Sequence, residues 1–142
     1  MTRVEFFFNV DSKPAKVAGL AESATKKGRR LMIYAPDETA ASSLERYLWT
    51  YPPIGFLPNC RADDKLAGQT PVIIDWQGTK LIHDDVLINL QSQHPPFFSR
   101  FRRLIEIVGV DEQDKAEARL RYRFYRDRGY EIRSFDVTGA SI

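Results

Sequence analysis

The hydrophobic positions of this chain change their spacing several times along the sequence, and this is the main signal of its secondary structure. Residues 4–10, VEFFFNV, form a short apolar run that is typical of a β-strand. A helical pattern follows from about Pro14, with Ser12 placed to cap its start and Gly28 placed to end it. The beginning of the chain is therefore predicted to be a strand followed by a helix.

The next stretch repeats this arrangement. Residues 31–34 are apolar and strand-like, and Asp37 follows as a predicted helix N-cap. The apolar residues Ala41, Leu44 and Leu48 then recur at helical spacing. Two strand–helix units in succession favour a parallel sheet that is covered by helices and connected by right-handed crossovers.

The second half of the chain supplies further strands and one more helix. Compact apolar runs and a final edge strand are predicted at residues 71–76, 85–90, 102–108 and 130–135. The last helix is predicted to begin near Asp111, because acidic residues fill its first turn, and to finish at Gly129. Residues 50–70 are predicted to be an irregular loop. The whole pattern predicts an α/β fold with an open, mostly parallel sheet.

Length, charge and cysteine content narrow the class of protein. With 142 residues, the chain is predicted to form a single domain over residues 1–142. The 21 Lys and Arg residues nearly balance the 19 Asp and Glu residues, so the net charge of +2 does not by itself indicate a nucleic-acid-binding protein. The lone Cys60 cannot form an intrachain disulfide, and no run approaches the roughly 20 apolar residues that cross a membrane. We therefore expect a cytoplasmic protein without a membrane segment.

The sequence contains no recognisable catalytic or cofactor-binding motif. The first strand is followed by neither a GxGxxG fingerprint nor a P-loop, so nucleotide binding at the usual place is disfavoured. His83, Asp84 and Asp85 are adjacent, but such a group in a polar turn is more typical of a solvated loop than of a metal site. Cys60 has no helix start or base beside it in the sequence that would activate its thiol. We predict no cofactor, no metal and no active site.

Two groups of residues have the character of interaction surfaces. The first lies in residues 48–59, LWTYPPIGFLPN, where Trp49 and Phe56 stand among three prolines. Prolines stiffen a segment and lower the entropy that is lost when a partner fixes its aromatic side chains. Trp49 and Phe56 could equally cover the core of the protein, as large aromatic residues usually do. Their clustering on a proline-rich loop favours a partner.

The second group belongs to the last helix, within the stretch ARLRYRFYRDRGY at residues 118–130. Four residues share one face at helical spacing: Arg119, Tyr122, Arg123 and Arg126. Leu120 and Phe124 fall on another face, which is predicted to pack inward. Guanidinium groups bind carboxylates and phosphates in a bidentate manner, so the basic face suits an acidic peptide or a nucleic-acid backbone. The alternative is a solvated helix face that pairs with Asp127 and its neighbours.

Several of these features occur together in one known family. Their order is LW at the end of the second helix, FLP a few residues later, then an apolar strand region and the C-terminal ARLRYRFYRDRGY. In this order and spacing the chain resembles the chi subunit of bacterial DNA polymerase III holoenzyme over nearly its whole length. The resemblance implies a three-layer, Rossmann-like α/β fold with helices on both faces of the sheet. It also implies an accessory subunit without catalytic activity of its own.

The resemblance further implies two partners and the residues that bind them. One partner is the psi subunit, in a heterodimer that attaches to the clamp loader, and its site corresponds to Trp49, Phe56 and Pro58. The other is the acidic, phenylalanine-terminated tail of single-stranded DNA-binding protein. Its site corresponds to Val108, Arg119, Tyr122 and Arg123, to which the helical spacing adds Arg126. Contact with nucleic acid is then expected to be mainly indirect.

Two other functions remain open from the residues alone. A direct single-stranded nucleic-acid-binding protein would use the same arginines on phosphates, and its affinity would fall steeply as salt rises. A small α/β enzyme would need a pocket in which titratable groups converge, and the candidates for it are His83, Asp84 and Asp85. Titration against an oligonucleotide distinguishes the first alternative from peptide binding.

Overall fold

The computed structural model describes residues 2–50, 59–62, 64, 70–78, 81 and 83–137 of the chain. Within these residues the strands are β1 (Arg3–Val10), β2 (Leu31–Tyr34), β3 (Asn59–Arg61), β4 (Val72–Asp75), β5 (Val86–Asn89), β6 (Arg103–Gly109) and β7 (Ile132–Asp136). The helices are α1 (Lys13–Lys26), α2 (Glu38–Trp49) and α3 (Glu112–Asp127), and a 3-10 turn spans Phe98–Arg100.

All of these strands belong to one parallel sheet. Their order is β3-β4-β2-β5-β6-β1-β7, and every neighbouring pair is parallel. Buried residues of α1 and α2 pack against one face of the sheet, around Ile33 and Ile74. Buried residues of α3 pack against the other face, around Phe98 and Leu104. The predicted three-layer α/β fold, with a parallel sheet and helices on both faces, is confirmed.

The central strands β2, β4 and β5 form the most deeply buried part of the sheet. Every residue of these three strands is buried. Their sequences LMIY, VIID and VLIN lack the polar alternation of a half-exposed strand, because helices or loops cover the sheet from both sides. Each buried aliphatic side chain stabilises the fold by about 1.5–3 kcal/mol relative to exposure. These strands provide the rigid base from which the outer elements extend.

The helices begin and end where the capping residues in the sequence predict. Ser12, Asp37 and Asp111 each accept a hydrogen bond from the backbone amide three residues later, at 3.3, 2.8 and 3.2 Å respectively. After α1 and α3 the chain turns at Gly28 and Gly129, whose φ angles of 72° and 83° lie in the left-handed region that glycine adopts without strain. Local chemistry therefore fixes the starts of all three helices and the ends of α1 and α3.

The inward face of α3 differs from the prediction. Leu120 is 64% exposed, whereas Arg121 is only 3% exposed and points toward the sheet. The reason is the buried carboxylate of Glu106 in β6, whose Oε1 accepts a hydrogen bond from Arg121 Nε at 2.9 Å. Phe124 is partly buried against the sheet, as predicted. The prediction for Leu120 was wrong because pairing with Glu106 sets the rotation of the helix.

The strand β3 was not expected. It lies inside the segment 50–70, which the sequence predicts as an irregular loop, and it pairs in parallel with β4 at the edge of the sheet. A three-residue edge strand needs no apolar run, so its sequence NCR carries no strand signal. The loop prediction was therefore wrong for Asn59–Arg61.

Candidate functional site beside helix α3

A groove opens beside α3, on the face of the sheet that this helix covers. Its volume is about 420 Å³, and its walls come from α3 and from the strands β1, β6 and β7. Since α3 follows β6 and leads to β7, it crosses over β1, which lies between these two strands. The groove therefore runs between the last helix and the strand that the helix crosses.

The floor of the groove is apolar. Five residues form it: Phe6, Phe8, Val108, Ala118 and Tyr122. Phe6, Val108 and Ala118 are buried, while Tyr122 is 37% exposed. The centroid of the Tyr122 ring lies 5.5 Å from that of the Phe6 ring. Tyr122 thus rests on the floor and forms a wall of the groove that solvent still reaches.

Polar and basic side chains complete the lining: Asn9, Lys115, Arg119 and Ser134. Arg119 is exposed and makes no ion pair with any residue that the structure describes. Lys115 Nζ lies 4.0 Å from Glu112 Oε1, which is the outer limit of an ion pair. Two cations therefore stand at an apolar recess with little neutralisation from the described part of the chain.

Arg119, Arg123 and Arg126 of the predicted face form a basic stripe along α3, and the last two lie beyond the groove. Arg123 and Arg126 are both exposed, and neither lines the recess. Arg126 Nη2 lies 3.3 Å from Asp127 Oδ1 in an exposed ion pair, which contributes about 0–1 kcal/mol. Arg123 makes no ion pair with the described residues. The basic stripe is thus solvent-accessible along its length, and Arg119 is its member at the groove.

The wall opposite α3 contains an irregularity of β1. Asn9 has a φ of 62°, in the left-handed region that asparagine tolerates better than most residues. Its Nδ2 donates a hydrogen bond to Asp136 Oδ2 in β7 at 3.0 Å. The register between β1 and β6 shifts between Phe7 and Val10. Such a bulge redirects side chains, here at the place where Phe8 and Asn9 reach the groove.

Three of the residues that the resemblance implies, Val108, Arg119 and Tyr122, line this groove together. The contribution of β1 was missed. Strand alternation places Phe6 and Phe8 on the side that faces α3, but the continuous run FFF hid which residues share a face. Lys115 was also missed, although it precedes Arg119 by about one helical turn.

A buried polar network anchors α3 to the sheet beneath the groove. Its centre is Glu106, which has no exposed surface. Besides Arg121, the carboxylate accepts hydrogen bonds from Tyr125 Oη at 2.6 Å and from Asn89 Nδ2 at 3.0 Å. Arg121 Nη1 also donates to the Ser92 carbonyl at 2.8 Å. The network ties α3 to β5, to β6 and to the loop that follows β5.

The electrostatics of this network follow from its burial. Burial raises the pKa of Glu106 above its usual range, although Arg121, Tyr125 and Asn89 all stabilise the charged form. Burial and the neighbouring Glu106 carboxylate also raise the pKa of the Tyr125 phenol. Tyr125 therefore keeps its proton and remains a hydrogen-bond donor to Glu106. The polar groups of the network satisfy one another, so α3 is held at one rotation.

A second anchor lies near the C-terminal end of α3. The His94 ring stacks on Phe124 with centroids 3.5 Å apart and 13° between the ring planes. The guanidinium carbon of Arg128 lies 3.9 Å from the centroid of the same ring. Partial burial, and next the charge of Arg128, lower the pKa of His94. Neutral His94 therefore packs as an aromatic ring on Phe124 of α3, which joins the helix to the loop that follows β5.

The residues implied for the other partner are only partly within the described chain. Trp49 is the last residue of α2, and 44% of it is exposed. Phe56 and Pro58 lie outside the described residues. Of these three residues, the structure therefore describes only Trp49, which lies at the exposed end of α2 and does not line the groove.

The three residues considered for an enzyme site do not form a common site. His83 is buried, with Nε2 2.9 Å from the Thr70 carbonyl. Asp85 binds Arg29 at 3.6 Å and accepts a hydrogen bond from the Arg30 amide at 3.3 Å, and Asp84 is exposed. Within the described residues, no three His, Cys, Asp or Glu side chains come together as metal ligands. In the same part of the chain, the helices are too short or too polar to span a bilayer.

The sequence was compared with known proteins. Residues 1–133 match the family described as DNA polymerase III chi subunit, HolC. DNA polymerase III subunit chi of Pseudomonas aeruginosa is 31% identical over 136 residues, which are 93% of this chain and 94% of that protein. The subunit of the same name from Haemophilus influenzae is 32% identical and covers 83% of both chains. That of Escherichia coli is 31% identical over 82% of this chain and 80% of its own length.

Proposed function

Because the chain belongs to the DNA polymerase III chi subunit family, we propose that it is a non-catalytic accessory subunit which joins two partners during DNA replication. One partner is the psi subunit, through which the chain attaches to the clamp loader. The other is the acidic, phenylalanine-terminated C-terminal tail of single-stranded DNA-binding protein. The chain then connects the polymerase assembly to the protein that covers single-stranded template.

The observation that carries the tail-binding proposal is the combination of an apolar recess with weakly neutralised cations at its edge. The recess between Phe6, Val108 and Tyr122 suits one aromatic side chain at the end of a peptide. Arg119 and Lys115, which also line it, suit the carboxylates of aspartates and of the chain terminus. Arg123 and Arg126 extend the positive charge along α3 for carboxylates further from the peptide end. A phosphate backbone alone has no apolar group that would fill the floor of the recess.

The expected energetics follow from these two components. Exposed ion pairs contribute about 0–1 kcal/mol each and are screened by salt. Burial of a phenylalanine side chain contributes about 1.5–3 kcal/mol and is not weakened by salt in this way. We therefore expect modest affinity, in which added salt removes the arginine contribution and leaves that of the ring.

The proposal is tested with a fluorescent peptide that carries the tail sequence of the cognate single-stranded DNA-binding protein. Removal of its final phenylalanine is expected to weaken binding by about 10- to 100-fold in a polarisation titration, since the ring no longer fills the recess. A peptide of the same composition with the phenylalanine moved to its amino end is the control. Equal affinity for all three peptides would leave only nonspecific charge attraction and contradict the proposal.

The psi-binding part of the proposal depends on the exposed end of α2. Trp49→Ala is expected to abolish copurification with the psi subunit, because large aromatic residues on exposed surfaces frequently dominate interfaces. The same variant should bind the tail peptide with unchanged affinity, since the groove lies beside α3. Retention of psi by the variant would exclude this surface, whereas loss of both partners would indicate misfolding, which circular dichroism detects.

A further inference from the structure

The amino ends of the parallel strands lie side by side along one end of the sheet, and arginines are concentrated there. The pairings bring together the starts of four neighbouring strands, at Leu31, Val86, Arg103 and Arg3. Exposed arginines stand at or directly before three of these starts, and another lies in the 3-10 turn that precedes β6. We call these residues the amino edge: Arg3, Arg30, Arg100 and Arg102.

Helix dipoles account for other basic residues on this side of the molecule, but not for the amino edge. Lys26 in the last turn of α1 and Arg126 in the last turn of α3 complement the partial negative charge of a helix C-terminus. The amino-edge arginines stand instead at strand starts and in a three-residue 3-10 turn. Neither place provides a macrodipole that would stabilise a cation, so another cause is needed for their concentration there.

Most of the amino edge lacks acidic partners. Among the described residues, Arg3, Arg100 and Arg102 take part in no ion pair. The nearby acids Asp85 and Glu5 are engaged by Arg29 and Arg103, and the exposed Asp84 shares a depression with Arg100 and Arg102 without pairing with them. The backbone amide of Arg3 donates to the Arg102 carbonyl at 3.0 Å, so these two arginines are neighbours. Gathered like charges repel one another, and a bound polyanion relieves that repulsion.

The shape of this edge differs from that of the groove. Arg100 and Arg102 line a shallow depression of about 220 Å³ together with Thr2, Asp84 and Ser99. Phe101 also borders it but is buried, so it offers no exposed ring on which a base could stack. The depression therefore suits phosphate groups, which guanidiniums bind in a bidentate manner, rather than an apolar side chain or a base.

From this arrangement we infer that the amino edge binds the phosphate backbone of single-stranded DNA. This site goes beyond the proposed function, because it is separate from the tail groove: Arg3 precedes Phe6, the nearest groove residue on β1, by three positions, roughly 10 Å of extended strand. DNA is the polyanion to which a subunit of a DNA polymerase is exposed. Binding is independent of sequence and weak, since it rests on charge without stacking.

The test is a titration of the full chain with a fluorescent oligothymidylate of about 20 nucleotides at several salt concentrations. A triple variant carrying Arg3→Ser, Arg100→Ser and Arg102→Ser is expected to bind at least about 10-fold more weakly at low salt. Loss of three phosphate contacts should also reduce the slope of log affinity against log salt by about 2. Unchanged affinity and slope would overturn the inference.

A second triple variant removes the same charge from the groove surface, through Lys115→Ser, Arg119→Ser and Arg123→Ser. It is expected to lose the tail peptide and to retain the oligonucleotide, whereas the amino-edge variant should show the reverse. If both variants lose DNA equally, net charge explains the binding and the site is refuted. If poly-glutamate competes as well as DNA of equal charge, the edge binds acidic protein instead and the inference is again overturned.

Substitution of Asp84 is expected to strengthen oligonucleotide binding at the amino edge. Its exposed carboxylate lies in the depression beside Arg100 and Arg102 and opposes an incoming phosphate. Asp84→Asn is therefore expected to tighten oligonucleotide binding by about 2- to 5-fold at low salt, and a misfolded variant could not produce such a gain. Weaker binding by Asp84→Asn would contradict the placement of DNA at this edge.

Discussion

Glu106→Ala is expected to lower the free energy of unfolding by about 3–5 kcal/mol, because it leaves the buried charge of Arg121 without its partner. Arg121 is nearly inaccessible to water, and its Nε donates to the Glu106 carboxylate at 2.9 Å. Tyr125 Oη loses its acceptor in the same substitution. Since small domains are stable by about 5–15 kcal/mol, this loss removes a large share of the total. Urea denaturation followed by circular dichroism measures it.

Two further variants test whether the loss of stability comes from the buried network: a substitution of a surface glutamate, and a double variant that removes both buried charges. Glu22 forms an ion pair with Lys26 at 2.9 Å on the surface of α1, and Glu22→Ala is expected to cost less than about 1 kcal/mol. Glu106→Leu combined with Arg121→Met removes both charges and is expected to recover the part of the stability that the unpaired Arg121 costs, but not the part lost at Tyr125 Oη. A loss below about 1 kcal/mol for Glu106→Ala would mean that the network does not hold α3 as described.

The sequence predicted the elements of the fold well because their signals are local. Ser12, Asp37 and Asp111 act within one helical turn, and Gly28 and Gly129 act through their own backbone angles. The central strands are recognisable by their unbroken apolar runs. Such runs are typical of strands in a sheet that is covered on both faces. None of these predictions depends on which distant residues meet in the folded chain.

The rotation of α3 could not be predicted in this way. Helical periodicity treats Leu120 as a core residue and Arg121 as a surface residue, since an isolated buried guanidinium costs far more than an exposed leucine. The structure reverses both assignments because Glu106, fifteen residues earlier on β6, accompanies Arg121 into the interior. A carboxylate inside the apolar run RLIEIVG was the available signal. It showed that β6 buries a charge, but not which cation neutralises it.

The candidate groove was predictable on its helix side and not on its sheet side. The spacing of Arg119, Tyr122 and Arg123 within α3 places them on one face of the helix whatever the fold. Phe6 and Phe8 meet that face only because β1 lies between β6 and β7, an order that follows from the sheet topology. The bulge at Asn9 adds a further non-local feature, since its side chain binds Asp136 of β7. Recesses between elements therefore need the fold before they can be located.

Arg119→Glu is expected to weaken binding of the tail peptide by about 30-fold or more, which corresponds to about 2 kcal/mol. Arg119 lines the recess, so a peptide that fills it covers the guanidinium and strengthens its pairing with a carboxylate. The substitution removes that pairing and places a like charge beside the peptide. Because Arg119 is exposed in the unbound protein, stability should change by less than about 0.5 kcal/mol. Fluorescence polarisation and thermal melting measure the two quantities separately.

Arg46→Glu is the matched control for this substitution. Arg46 is an exposed arginine in the last turn of α2, a helix on the opposite face of the sheet, and its reversal changes the net charge by the same amount. Only long-range attraction should weaken there, which moderate salt suppresses. Arg123→Glu is expected to fall between the two, because Arg123 lies on the basic stripe but outside the recess. If Arg46→Glu weakened the peptide as much as Arg119→Glu does, net charge would explain the affinity and the groove would lose its assignment.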